Sequence, residues 1–251
     1  MTASIMIVTY NRIELTKKTL EGLFERTDYP FNLIFVDNNS TDGTADYLYK
    51  TCADAITENA FLKSFTILRN EKNLGIAVAR NQALEASHDP WLSTMDNDVL
   101  VPKGWLSSCV EILTRNPQYG MLGVNMENVT YPLVKVNDLE WQGKPRGNLG
   151  TACTVFNRSL HKMLGYFNTE YGLYGEEDAD FGMRVRVLGL KMGYLKENGT
   201  HLGEGNEDVG TYREFKTACH QKNLKKFNSN CVLYSSGKKS LYIPFSKVRD
   251  D

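Results

Sequence analysis

Two aspartates separated by one residue follow a short apolar segment at Trp91-Leu-Ser-Thr-Met-Asp96-Asn97-Asp98. Another apolar triplet, residues 99–101, comes directly after them, which is typical of a buried strand that delivers carboxylates to its end. Two such carboxylates repel each other, and burying them costs free energy unless a cation or hydrogen-bond donors compensate. Mg²⁺ or Mn²⁺ would compensate, because both prefer oxygen ligands and often bind carboxylates together with substrate phosphates. The pattern indicates either a metal site or a solvated turn, for which Asp-Asn-Asp is equally suited.

The segments around these acids alternate between strands and helices. Apolar runs of strand length occur at residues 4–9, 31–36, 65–68, 91–96 and 119–124. They are separated by segments with helical periodicity, which contain Leu20, Leu48, residues 76–86 and residues 105–114. This alternation predicts right-handed βαβ units and a parallel sheet. Ligands of such sheets bind beyond the carboxyl ends of the strands, so residues 96–98 are expected where a nucleotide diphosphate could bind.

Later segments are less regular. Residues 125–150 lose periodicity, which predicts a long surface excursion with a functional role. A strand at 151–156, helices at 158–164 and 179–188 and a strand at 191–195 that ends near His201 complete the predicted core. The tail from residue 212 is predicted to hold a basic helix and then a hairpin of residues 231–234 and 241–245.

Composition excludes several classes of protein. The 251 residues are 41% hydrophobic and 24% charged, with a formal net charge of -1, so nothing favours binding to nucleic acid. Five scattered cysteines without a C-x-x-C pair indicate reduced thiols. The N-terminus does not resemble a signal peptide, and no apolar run could span a bilayer. These features predict a cytoplasmic protein, with the inner membrane face as an option.

Four polar segments carry a family resemblance. Each lies at the end of a strand or the start of a helix, and together they cover residues 7–12, 36–44, 73–81 and 95–98. Their residues, order and spacing resemble the inverting glycosyltransferases of family 2, which have the GT-A fold. Downstream, Gly175-Glu-Glu-Asp178-Ala-Asp180-Phe-Gly-Met-Arg184 and His201 are similar to the acidic catalytic motif and late metal ligand of that family. The resemblance covers about residues 4 to 205.

The resemblance implies a Rossmann-like α/β fold with a mostly parallel central sheet flanked by helices. We expect one GT-A domain over residues 1–205, with a nucleotide-binding half at 1–100 and an acceptor and catalytic half at 101–205. Residues 206–251 would form a C-terminal extension with a helix and a hairpin. The Q-x-x-R-W motif of processive synthases is missing, because Gln221 is followed by Lys-Asn-Leu-Lys. A soluble enzyme that adds one or a few sugars is the implied type.

The resemblance also assigns residues to the donor. The implied nucleotide-binding residues are Thr9, Tyr10, Asn11, Arg12, Asp37, Asn39, Gly75, Arg80, Asp96 and Asn97. Asp98, Asp96 and His201 would hold a divalent cation, Mn²⁺ or Mg²⁺, between the phosphates of a nucleotide sugar. A UDP-sugar is favoured, with dTDP and GDP open. Taken singly, these residues have other interpretations: Asn11 as a helix N-cap, Asp37 in an Asx-turn, Arg80 as a solvated charge and His201 as a structural residue.

Inverting transfer needs one carboxylate to take the proton of the acceptor hydroxyl. Asp178 is the implied base, with Glu177 and Glu176 in reserve. The alternative is that these acids only cap the following helix, where negative charge is favourable, and that Asp180 pairs with Arg184 at i,i+4.

The acceptor is implied only in outline, as a glycan, lipid-linked or protein hydroxyl. Trp141 and Glu176 are candidate contacts, although an isolated tryptophan more often packs in a core. Five basic residues of the tail helix could touch an anionic membrane, but a solvated face is favoured: Arg213, Lys216, Lys222, Lys225 and Lys226. A catalytically silent GT-A module that binds nucleotide or carbohydrate is the alternative to an enzyme.

Overall fold

The computed structural model describes residues 1–126, 129–203 and 211–246, with the backbone alone for 211–213. Within these ranges the chain forms eleven strands and seven α-helices. In chain order they are β1 Ala3–Thr9, α1 Ile13–Arg26, β2 Phe31–Asp37, α2 Thr44–Glu58, β3 Leu62–Arg69, α3 Ile76–Ala86, β4 Trp91–Asp96, β5 Val99–Leu100, α4 Trp105–Arg115, β6 Tyr119–Asn125, β7 Leu133–Val136, β8 Leu139–Lys144, β9 Cys153–Asn157, α5 Arg158–Leu164, α6 Glu177–Val187, β10 Lys191–Asn198, β11 Thr200–His201 and α7 Thr211–Ser235.

Nine of these strands form one mixed sheet in the order β3-β2-β1-β4-β9-β6-β10-β8-β7. The first four are parallel to one another, and β6 is parallel to β10. β9 is antiparallel to both β4 and β6, and β8 is antiparallel to β10 and β7. The predicted fold class, an α/β fold with a mostly parallel sheet flanked by helices, is confirmed.

Helices cover both faces of the sheet because the strands are apolar on both sides. In β1, Ile5 and Ile7 pack into the core cluster on one face, together with residues of α1, α2 and α4. Met6 packs into the cluster on the opposite face, together with residues of α3, α5 and α6. Strands buried on both faces read as continuous apolar runs, which is the pattern of residues 4–9.

The prediction of a surface excursion over residues 125–150 is wrong for the central part of this segment. β7 and β8 form a hairpin that extends the sheet, and Trp141 in β8 pairs with Leu195 in β10. The Trp141 ring is fully buried and packs edge-on against Tyr119. Buried Gln142 bonds to the backbone of Leu195 and fixes the hairpin. The polar and glycine-rich sequence did not indicate β8, because this strand pairs with β10, which lies far along the chain.

The C-terminal extension is helical as predicted, but the hairpin prediction is wrong. Residues 231–234 belong to α7, and Ile243 makes a single bridge to Gly165. A short apolar run cannot be assigned to strand or helix from its pattern alone, and here Asn230 and Tyr234 bond to Tyr171 and Asp180 from one helical face. The predicted boundary at residues 205/206 lies outside the described residues, as does the Arg213 side chain.

Candidate active site

A cavity of about 320 Å³ opens beyond the carboxyl ends of β1 and β4. Nine of the residues singled out from the sequence line it: Tyr10, Arg12, Arg80, Asp96, Asn97, Asp98, Glu177, Asp178 and His201. They come from segments spread over the whole domain: β1 and β4 end at this edge of the sheet, and α3, α6 and β11 bring Arg80, the two acids of α6 and His201 to it. This clustering is the first sign that the polar segments form one site.

Asp96 and Asp98 form the strand-end acidic cluster together with His201. β4 ends at Asp96, and the chain then pairs β5 with β11 in a small antiparallel sheet that sets His201 opposite Val99. His201 Nε2 thereby lies 3.5 Å from Asp98 Oδ1, and Arg12 Nη1 lies 2.9 Å from Asp98 Oδ2. Burial raises the pKa of Asp98, and the charge of Asp96 raises it further, against the effect of His201, Arg12 and Lys216.

These three residues fit a divalent cation. One ligand atom from each lies within 4.8 Å of the others, and two oxygens bound to one Mg²⁺ at about 2.1 Å are at most about 4.2 Å apart. His201 Nδ1 is buried and has no hydrogen-bond partner among the described residues. Two carboxylates and an imidazole suit Mn²⁺ or Mg²⁺ better than a thiolate-binding metal. Small side-chain adjustments would complete such a site.

Arg80 joins the strand-end cluster to a second group of acids. Its Nη2 lies 3.0 Å from Asp96 Oδ1, and its Nη1 lies 3.0 Å from Glu177 Oε1. The side chain is 6% exposed and stacks over the Phe167 ring. Burial opposes its charge, but the neighbouring carboxylates, Asp96 first, outweigh burial and raise the pKa of Arg80. Arg80 is therefore a buried bridge, and its interpretation as a solvated helix charge is wrong.

The second group, the helix-start acidic cluster, consists of Glu176, Glu177, Asp178 and Asp180 at the beginning of α6. Glu177 is 5% exposed, and its Oε2 has no partner among the described residues. Burial, and then the charge of Asp178, raise the pKa of Glu177 to about 7. Asp178 is half-buried and accepts a hydrogen bond from the Ala179 amide. These two acids differ in environment although they are neighbours in sequence.

Asp180 has a structural role. It is fully buried, bonds to Arg184 Nε at 2.8 Å and accepts from the hydroxyls of Tyr171 and Tyr234 at 3.0 Å. Arg184 in turn donates to backbone carbonyls at Leu164 and nearby. The predicted i,i+4 pair is present within α6, and the bond from Tyr234 to Asp180 ties α6 to α7.

The loop after β1 is shaped differently from the prediction. Asn11 and Arg12 both have left-handed backbone conformations, with φ of 57° and 64°. The N-cap prediction for Asn11 is wrong, because the amide of Ile13 donates to Asp42 of the neighbouring loop. Asn11 Oδ1 instead accepts from the Thr41 amide. Asp42 thus binds the first amide of α1 from a different loop, and no local sequence pattern links that loop to α1.

Thr9, Asp37 and Asn39 do not line the cavity. Asp37 is fully buried, and its carboxylate accepts from the Thr9 hydroxyl and the Ser40 amide and lies 3.4 Å from Arg69 Nε. This is the turn-stabilising role that was the alternative for Asp37. Asn39 is half-buried in a left-handed conformation.

Gly75 brings two parts of the cavity wall together. Its φ is +86°, and a Cβ atom there would lie 2.8 Å from Leu173 Cα. The Ile76 amide donates to Leu173 O, and Asn38 Nδ2 donates to Gly75 O. The start of α3 and the segment before the helix-start acids therefore touch backbone to backbone, which only glycine allows.

The structure places the two residues that were candidates for contact with the acceptor in different surroundings. The prediction that Trp141 stacks on a sugar is wrong, since its ring is fully buried in the core. Glu176 is 8% exposed and has its carboxylate 2.5 Å from His220 Nδ1. Neither residue lines the cavity.

Sequence reasoning did not assign several cavity residues to the site: Val8, Asn38, Asn73, Ile76, Gly150 to Ala152, Leu173, Tyr174, Phe215 and Lys216. Asn38 belongs to a polar run that was recognised, but only its bonds to Gly75 and Asn70 distinguish it from Asn39. Phe215 and Lys216 lie on α7, which no local pattern connects to the acids.

Comparison with known proteins identifies the family. The chain matches Glycosyl transferase family 2 over residues 4–174, more than half of its length, and it belongs to this family. The match ends before Glu176, so the helix-start acids and α7 lie beyond it.

A relative and two solved structures show the same relationship. The putative teichuronic acid biosynthesis glycosyltransferase TuaG of Bacillus subtilis (strain 168) is 29% identical over 110 residues, covering 44% of this chain and 41% of TuaG. The chain spans less than half the length of the curated relatives that it matches. The mannosyltransferase PcManGT from Pyrobaculum calidifontis, solved with GDP-Man and Mn²⁺, has a TM-score of 0.64 at 19% identity, over 94% of this chain and 73% of PcManGT. S. aureus TarS 1-349, solved with UDP, has a TM-score of 0.60 at 21% identity, over 80% of this chain and 60% of TarS. At such identities the likeness shows the GT-A fold alone.

Among the described residues, no helix has the length and apolar character that crossing a bilayer requires.

Proposed function

We propose that this chain transfers a sugar from a nucleoside diphosphate to a hydroxyl group of an acceptor, with inversion at the anomeric carbon. One observation carries the proposal: Arg80 spans two acidic clusters within one cavity, 3.0 Å from each. A cluster that can hold a cation and a cluster that can take a proton are the two parts that inverting transfer needs.

The strand-end cluster serves the donor. Asp96, Asp98 and His201 would hold a divalent cation, which would supply charge neutralisation to a departing diphosphate. Tyr10, exposed at the cavity rim, offers a ring face to the base. The support is the fit of the ligand set, together with the Mn²⁺ and GDP-Man bound in the PcManGT structure and the UDP bound in the TarS structure. A UDP-sugar remains the favoured donor, with dTDP and GDP as alternatives.

The helix-start cluster serves the acceptor. The acceptor oxygen attacks the anomeric carbon from the face opposite the diphosphate, the bond to the diphosphate oxygen breaks, and Asp178 takes the hydroxyl proton. Asp178 is favoured because it is half-buried and lines the cavity. Glu177 is buried, is bonded to Arg80 and has its pKa raised by burial. We assign Glu177 the task of fixing Arg80 between the clusters. The acceptor is a hydroxyl of a glycan, a lipid-linked saccharide or a protein.

Thermal unfolding of the purified protein tests the donor side. UDP, dTDP, GDP and CDP are each added with Mn²⁺, with Mg²⁺ and with EDTA, because a ligand that binds only the native state raises the melting temperature. A rise for one diphosphate that EDTA removes is the expected result, and it names the base. No rise with any diphosphate contradicts the proposal. Binding without turnover of the matching nucleotide sugars would favour a silent binding module.

The configuration of the product tests the acceptor side. Once a donor is known, NMR of the new glycosidic bond distinguishes inversion from retention. A bond of the same anomeric configuration as the donor would contradict single displacement with Asp178 as base.

A further inference from the structure

The turn that delivers the helix-start acids is built from unusual backbone conformations. Gly172, Gly175 and Glu176 have φ of 74°, 94° and 70°, and Glu176 is the one member of the three with a side chain. A left-handed conformation is unfavourable for such a residue and persists when the surroundings hold it. Glu176 O accepts the first helical bond of α6 from the Asp180 amide. The orientation of Glu177 and Asp178 therefore depends on what holds this turn.

α7 holds the turn with two side chains one helical turn apart. His220 Nδ1 lies 2.5 Å from Glu176 Oε1, and the Glu176 carboxylate is largely buried. Asn223 is 3% exposed, and its amide nitrogen lies 2.7 Å from Tyr171 O, 2.9 Å from Tyr174 O and 3.4 Å from Gly175 O. Residues three apart lie on one helix face, so both contacts reach the same turn.

Other contacts fix α7 itself at its far end. The Tyr234 hydroxyl donates to Asp180 and anchors the helix to α6 independently of His220, and Asn230 donates to the Tyr171 hydroxyl at the start of the turn. Lys239, after α7, bonds to Asn230 Oδ1 and Glu170. A rigidly mounted helix can impose a conformation on the turn rather than follow it.

We propose that His220 and Asn223 are positioning residues that hold the turn of residues 171–176 and thereby place Asp178 and Glu177 for reaction. The inference rests on the proposed function, because it assigns these acids a role in transfer. The family match ends at residue 174, so it covers neither positioning residue. The C-terminal helix is then a working part of the site rather than an appendage.

The test compares four variants with the wild type. His220→Ala removes the contact to Glu176, and His220→Asn restores a nitrogen donor near the position of Nδ1. Asn223→Ala removes the contacts to the turn carbonyls. Gln221→Ala is the matched control, since Gln221 is exposed on the same helix between the two. Hydrogen exchange of the peptides covering residues 171–180 reports the order of the turn, and kcat is measured beside the Kd of the nucleoside diphosphate with Mn²⁺.

We expect faster exchange in this segment for His220→Ala and Asn223→Ala, and wild-type exchange for Gln221→Ala. The kcat should fall about 10-fold or more, because misplacing a reacting group by ~1 Å costs up to about 100-fold. The Kd should stay unchanged, since Asp96, Asp98 and His201 are held by other elements. His220→Asn should recover both exchange and kcat.

Unchanged exchange in both alanine variants would overturn the inference, as would faster exchange with unchanged kcat. A loss in His220→Asn equal to that in His220→Ala would overturn it too, because the donor would then not be what matters. A wild-type protein that neither binds a nucleoside diphosphate nor turns over a donor contradicts the proposed function instead. The exchange measurement still decides in that case whether α7 holds the turn.

Discussion

The two acidic clusters of the cavity contain the same kind of residue but balance their charges differently. In the strand-end cluster, Asp96 and Asp98 are 32% and 6% exposed, and their partners Arg80 and Arg12 approach from the cavity side. In the helix-start cluster, Glu177 is buried against Arg80, Asp178 is half-buried and Asp180 is fully buried with Arg184. Both carboxylates at the strand end line the cavity, whereas helical rotation distributes the neighbouring carboxylates of α6 over different surroundings.

Asp178 and Asp180 show this distribution most clearly. Two residues along a helix correspond to a rotation of about 200°, so the two side chains point to nearly opposite sides. Asp178 lines the cavity, while Asp180 accepts from Tyr171, Tyr234 and Arg184 in the interior. The same motif thus places one carboxylate in the cavity and another in the interior of the fold.

Asp178→Asn should give the largest change. Without the base, kcat should fall about 100- to 10,000-fold, while the melting temperature and nucleotide affinity stay near wild type. Steady-state transfer assays measure the effect, and Asp138→Asn, an exposed site outside the cavity, is the control. Wild-type turnover in Asp178→Asn would move the base elsewhere.

Asp180→Asn should act on stability instead. Breaking a buried ion pair leaves Arg184 uncompensated, so the free energy of unfolding should fall by about 3–5 kcal/mol. Urea unfolding of the ligand-free protein measures this change. A loss below about 1 kcal/mol, which is the contribution of a surface ion pair, would show that the contacts of Asp180 do not stabilise the fold.

Gly75→Ala should separate the two sides of the cavity. A Cβ atom there would press on the backbone of residues 172–173 at a φ of +86°, and such strain costs about 1–3 kcal/mol. We expect a lower melting temperature together with a weaker response to nucleotide. Gly147→Ala, which also has positive φ but meets nothing closer than 3.9 Å, is the matched control for the strain alone.

Glu177→Gln should change the pH dependence of stability. Because burial raises the folded pKa to about 7 from an ordinary 4.5, the folded state binds more protons than the unfolded state between about pH 4.5 and 7. The wild type should lose stability as pH rises through that range, and the variant should lack this loss. Urea titrations in EDTA at several pH values measure the difference, and parallel curves for the two proteins would contradict it.

The regular half of the fold could be predicted from the sequence. Helix 76–86, strand 91–96 and helix 158–164 have the predicted bounds, because apolar periodicity and glycine or proline punctuation are local signals. The β7–β8 hairpin and the end of α7 could not, because each depends on a partner that is distant in sequence.

The candidate site divides in the same way. The family resemblance implied Asp96, Asp98, Glu177, Asp178 and Arg80, and the structure brings these five residues into one cavity. Asp42 as a helix cap, Asn38 at Gly75 and His220 at Glu176 depend on contacts between loops and helices that only the folded chain reveals. Burial, which separates Glu177 from Asp178, is likewise invisible in the sequence.

The most direct test is a calorimetric titration that compares two variants, Asp98→Asn and Asp178→Asn. The nucleoside diphosphate is titrated into each protein in the presence of Mn²⁺, which tests whether the two clusters have separate roles. If the strand-end cluster holds the cation, Asp98→Asn should weaken nucleotide binding by roughly 10- to 100-fold or more. The loss of a residue that only supports a metal ligand already costs that much. Asp178→Asn should bind like the wild type. Equal affinities in the two variants would contradict the assignment of donor binding to one cluster and proton transfer to the other.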